Sequence, residues 1–187
     1  MRWTRLFDDL EAQLVRLEQA ELEAEVAETT RSQRSGVLLA EALAADLGRS
    51  LSIEALGIGQ MTGDLTEVGS NWCMLDMDVQ GPARRRSVLV SMAAIQSVSG
   101  LSGSVDQREG ASQRRFDMRS ALRALARDRA MVRLHLASGS TVTGTIDRVG
   151  RDHVDLADHP EDTPRRASAV RQTRTVPSWA LCALRQI

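Results

Sequence analysis

The chain has 187 residues, 42% of them hydrophobic, and a formal net charge of −1, which is length enough for two small domains of ~60 to 70 residues each plus an extension. No apolar run reaches the ~18 residues a membrane span needs, and Asp8, Asp9 and Glu11 stand where a signal peptide would be apolar, so a cytoplasmic protein away from membranes is expected. Lysine and tyrosine are absent, all 24 basic residues are arginine, and the charge is divided: residues 1–81 carry −9 and residues 82–187 carry +8. That split suits an acidic segment docking on a basic one, or a basic face meeting a polyanion.

Residues 1–28 read as a helix, with Trp3, Phe7, Leu10, Leu14, Leu17 and Ala24 at alternating steps of four and three, a seam broken at Glu21. Glu11, Glu18, Glu23, Glu25 and Glu28 make its outer face acidic. Two uses stay open for it: a short helix that binds itself or a protein partner, or one folded back on its own chain. The polar run Thr29 to Gly36 follows, then a second helical stretch, Val37 to Leu47, that stops at Gly48. Leu51 to Val98 alternates in strand fashion around a loop, Gln80 to Arg86, holding Gly81, Pro82 and the run Arg84-Arg85-Arg86. Ser97 to Gln113 is rich in Ser and Gly and reads as a linker. Asp117 to Asp128 is again helical, with Met118, Leu122 and Leu125 on one face and Arg119, Arg123 and Arg127 towards solvent.

The clearest strand signal is Met131 to Leu156, where Val132, Leu134 and Leu136 alternate with Arg133 and His135. Ala137-Ser138-Gly139-Ser140 supplies a hairpin turn there, and Gly150-Arg151-Asp152 another. This stretch repeats an earlier one. At an offset of 81, Leu51 falls on Val132, Gly63 on Gly144, Leu65 on Ile146, Gly69 on Gly150 and Leu75 on Leu156; at an offset of 86, Val90 to Ile95 falls on Val176 to Leu181. The second copy therefore has about five more residues in the loop Asp158 to Thr173, which holds Arg165, Arg166 and Arg171.

The order helix, strand, glycine-containing strand, hydrophobic strand and a short V-P-x-x-A-hydrophobic end resembles the Sm-like or SH3-like small barrel of the Sm, LSm and Hfq proteins. The carrying residues are Gly144, Ile146, Val149, Val154, Leu156 and Val176 to Leu181, with Gly63, Leu65, Val68, Leu75 and Val90 to Ile95 in the first copy, over about two-thirds of the chain. The whole chain, from Arg2-Trp3 and Leu6 to Leu10 through to Arg174-Thr175-Val176-Pro177, also resembles uncharacterised proteins of high-GC bacteria often labelled Fis-family transcriptional regulators. The resemblance implies a mainly β protein with helices (α+β): two Sm-like barrels, each behind a helix, after an acidic N-terminal helix. The boundaries expected are 1–35 for that helix, 36–98 for the first barrel, 99–115 for the linker and 116–187 for the second barrel. Near the C-terminus strands are expected, in place of the helix pair that Fis-type DNA binding requires.

For function, the arginine loops come first. Arg84, Arg85 and Arg86 and, in the matching loop, Arg165, Arg166 and Arg171 with Arg174 present guanidinium groups suited to phosphates; the plainer alternative is a solvated surface. Sm proteins read a base through an Asp-x-x-Met-Asn step, and here the matching positions hold Gly150, His153 and Val154, and Gly69, Trp72 and Cys73, so the base-reading amide is missing. Trp72 or His153 could stack on a base, although a lone aromatic in a strand is more often core. Cys73 and Cys182 fall at apolar strand positions and read as buried thiols. His153 and His159 with Asp152, Asp155 and Asp158 match no closed zinc site, and no serine elbow, Walker or dinucleotide motif occurs, so neither metal, cofactor nor catalysis is expected. The leading expectation is a non-enzymatic nucleic-acid-associated regulator, RNA before DNA. The alternative is a protein adaptor working through the N-terminal helix and the strand edges. Monomer and small homo-oligomer are both open.

Overall fold

In the computed structural model, the structure describes residues 36–77, 86–104, 116–159 and 170–187. The N-terminal seam (Trp3, Phe7, Leu10, Leu14 and Leu17) and Arg84, Arg85, Arg165 and Arg166 lie outside them. A short helix α1 (Leu39–Ala44) leads into strands β1 (Ser50–Ala55), β2 (Gly59–Val68), β3 (Trp72–Met77) and β4 (Arg86–Ser91), then a 3-10 turn (Met92–Ala94) and β5 (Ile95–Ser99). Helix α2 (Met118–Arg127) opens the same order again: β6 (Met131–Leu136), β7 (Thr141–Val149), β8 (His153–Asp158), β9 (Gln172–Pro177), a 3-10 turn (Ser178–Ala180) and β10 (Leu181–Gln186). Asp117 caps α2, its carboxylate accepting from the Ser120 N–H and hydroxyl at 2.9 and 2.8 Å.

These strands do not form the two small barrels expected from the resemblance. They make one open, antiparallel ten-stranded sheet in the order β5-β1-β2-β3-β4-β10-β6-β7-β8-β9. The cause is a joint between the two sets of five. β4 pairs with β10, Val90 opposite Ala183 and Leu89 opposite Leu184, so each takes a neighbour from the other half. The residues fit that position: Val88-Leu89-Val90 and Leu181-Cys182-Ala183-Leu184 are unbroken apolar runs, buried on successive residues, as in strands covered on both faces rather than one. By contrast β1 and β6 alternate buried with less buried residues.

The cores interlock across the joint. The first contains Leu43, Leu51, Ile53, Leu65, Cys73, Leu75, Val88 and Val90, and also takes Ala183 from β10. The second contains Leu122, Val132, Leu134, Ile146, Val154, Leu156 and Leu184, and also takes Trp72 and Leu89 from the first half. Each fully buried Leu, Ile or Val contributes about 1.5–3 kcal/mol relative to exposure, so neither core is complete without a strand from the other half. Leu39 to Ile187 accordingly form one compact unit.

The matched features of the repeat have local causes. β2 and β7 each carry a bulge at the corresponding step, Leu65 to Glu67 and Ile146 to Arg148, which bends and coils the strand. At Gly144 a Cβ would run into the Ala157 carbonyl of β8, and at Gly63 into that of Asp76 of β3, so only glycine lets those strands come so close. Gly57, at φ 76° in the β1–β2 turn, lies against the Leu136 carbonyl, a second contact between the halves. Buried Asp46 holds the chain after β5: its carboxylate accepts the Ser102 N–H at 2.8 Å and lies 3.2 Å from Arg49 Nε.

Candidate nucleic-acid interface

The connections β3–β4 and β8–β9 leave from matching ends of their hairpins, because β3 pairs Met77 with Arg86 and β8 pairs Asp158 with Gln172. Arg86 is the first residue of β4 and is exposed. Arg171 is exposed and its N–H donates to the Asp158 carbonyl at 2.9 Å. Arg174 is committed within the sheet: its Nε lies 2.9 Å from Asp158 Oδ2. Of the described loop arginines, Arg86 and Arg171 therefore offer their guanidinium groups outward, while Arg174 shares its charge with a carboxylate.

The sheet adds basic residues that the loops do not contain. On β10, Arg185 stands directly opposite Arg133 of β6, and Ala183 opposite His135. Arg86 lies on the other side, on β4, near enough to lower the Arg185 pKa together with Arg133, behind the larger effect of burial. Burial, then Arg185 and Arg133, disfavours protonation of His135. Arg133 Nε donates to Thr143 Oγ1 at 3.3 Å. The signal in the sequence was the pair Arg133 and His135 on the non-core parity of a strand, but their opposition to Arg185 depends on the joint.

The two aromatic candidates for stacking occupy matching places beside a turn. Trp72 is 6% exposed, covers Gly69, and donates from Nε1 to the Phe116 carbonyl at 3.0 Å. His153 covers Gly150 and has Nδ1 2.8 Å from Asp152 Oδ1. Both side chains thus have a packing task. Among the described residues, the aromatic face most open to solvent is Trp179, 79% exposed in the second 3-10 turn; the sequence matches it to Ala93, and only its neighbours in three dimensions show that it points outward.

A groove of about 760 Å³ lies between α2 and the sheet, lined by Trp72, Met74, Leu89, Leu125, Leu184 and exposed Phe116, with Arg123, Arg127 and Glu67 also on its walls. His159 is buried and its Nε2 lies 2.9 Å from Thr145 Oγ1. Among the described residues no group of three or more His, Cys, Asp or Glu side chains is placed to hold a metal. Among the same residues no helix is long and apolar enough to cross a membrane. Cys73 and Cys182 are both buried and unbridged. No protein-family model matches the chain, and no curated protein matches it.

Proposed function

We propose that this chain is a non-enzymatic, cytoplasmic nucleic-acid-associated regulator that binds phosphates through arginine, with RNA preferred to DNA. The observation that carries the reading is the convergence of basic residues on one end of the sheet. β4 begins there with Arg86, antiparallel β10 carries Arg185 just before its end at Gln186, and β6 carries the paired Arg133 just after its start at Met131. Arg171, immediately before β9, belongs to the matching end of the second half. Guanidinium groups spread over neighbouring strands suit a backbone of successive phosphates. Two features favour RNA. Among the described residues, α1 and α2 are each followed by a strand and do not form the consecutive helix pair that enters a DNA major groove. Exposed Trp179 offers a flat face to an unpaired base.

The test replaces Arg84, Arg85, Arg86, Arg165, Arg166 and Arg171 together with glutamine and measures anisotropy of labelled single-stranded RNA, duplex RNA and duplex DNA. Loss of at least about tenfold in affinity with an unchanged melting midpoint is expected; unaltered binding would contradict the reading. Absence of binding by the unmodified chain would favour the adaptor role instead.

A further inference from the structure

Arg185 occupies an unfavourable place in the sheet. Its cross-strand neighbour is Arg133, and like charges directly opposite one another destabilise a sheet. Continuing the β4–β10 register from Leu89 and Leu184 puts Val88 level with Arg185, so Arg86, two residues along β4, shares that face. The Arg185 Nε is buried and makes no hydrogen bond, and a buried donor left unpaired is destabilising. Half-buried His135 completes the group from β6. Nor is this a by-product of the repeat. The residues at the positions of Arg133, His135 and Arg185 in the first half are Ser52, Glu54 and Ser99, so the cluster exists only where the two halves meet.

We propose that Arg185, Arg86 and Arg133, with His135, form a binding site for one phosphate group at the joint between the halves. This rests on the proposed phosphate-binding reading and deepens it, placing one phosphate at the joint between the halves rather than in the loops. The guanidinium forks of neighbouring strands donate to the phosphate oxygens, and the anion relieves the mutual repulsion of the cluster. The chemistry recognised is the phosphate group itself, whether free or part of an RNA strand.

The unmodified full-length chain gives the first test. Its three histidines allow imidazole titration to be followed residue by residue by NMR, with inorganic phosphate added against chloride at constant ionic strength. Phosphate should move the His135 midpoint upward, because an anion beside it favours the imidazolium. No movement of His135 would overturn the site. The second arm uses Arg185→Gln, which should weaken inorganic phosphate binding at least about tenfold and, by removing the like-charge pair, leave the phosphate-free melting midpoint unchanged or higher. If that variant does not fold, Arg133→Gln takes its place, with the same loss expected; retained affinity contradicts the proposal. A third arm compares 5′-phosphorylated with 5′-hydroxyl RNA oligonucleotides as competitors for phosphate. Preference for the former identifies a terminal phosphate as the source, equal competition identifies the backbone, and failure of both leaves free phosphate. RNA binding that persists while His135 stays insensitive to phosphate and to RNA would sink this site and leave the loop reading intact.

Discussion

Cys73 illustrates how completely a single residue can be taken over by the core. Its thiol is fully buried in β3, and burial pushes its pKa up to about 12; the Cys182 thiol is raised for the same reason. Because the folded thiol holds its proton where the unfolded one has lost it, its contribution to stability is complete below pH ~9 and is lost progressively as the pH rises towards 12. The chain has no lysine and no tyrosine, so few other side chains titrate in that window. The urea midpoint should therefore fall steadily from pH 9 to 11, and Cys73→Val should flatten that fall. An equally steep fall in the variant would assign the alkaline loss to another group. The two thiols were legible in the sequence because a cysteine on the apolar parity of a strand is read like a small hydrophobe. Trp72 and His153 were less so: their shared task of covering Gly69 and Gly150 depends on turn geometry that periodicity does not report.

At the scale of elements, most strands were legible because β1, β2, β6, β7 and β8 alternate, and a two-residue period is what a strand with one buried face imposes on its side chains. The two strands that decide the architecture lack that period. Val88 to Val90 and Leu181 to Leu184 do not alternate, and an unbroken apolar run marks a strand with neighbours on both sides and layers on both faces. Leu89 and Leu184 carry the joint, facing each other in register and buried in one core. Leu184→Ala should cost about 2–5 kcal/mol, and Leu89→Ala a similar amount. Because they touch, the double variant should depart from additivity by about 0.5 kcal/mol or more. Additive losses measured by chemical denaturation would mean that the joint does not hold the two strands together. The outermost strands contrast with these: β9 exposes Thr173, Arg174 and Thr175 and ends at Pro177, and β5 exposes Gln96, Ser97 and Ser99. Charge and proline of this kind discourage further strand addition.

For the whole molecule, the difference between two barrels and one sheet has a thermodynamic signature. Independent barrels would melt separately, whereas a sheet whose cores exchange Ala183, Leu89 and Trp72 should give one calorimetric transition with matching calorimetric and van't Hoff enthalpies. Two resolved transitions would speak against the interlocked cores. The same joint explains why the basic cluster escaped sequence reading: Arg86, Arg133 and Arg185 are scattered along the chain and meet only because β4 pairs with β10 and β10 with β6. The loop arginines were visible as runs, and the division of charge between front and back was visible as a count. The measurement that tests the central claim most directly is the affinity of the intact chain for single-stranded RNA as a function of salt. Each phosphate neutralised lowers log affinity with log salt by ~0.7. Micromolar or tighter binding at low salt with a slope of about −2 or steeper is the result predicted for an arginine-lined phosphate interface; no binding at low salt, or binding indifferent to salt, would contradict it.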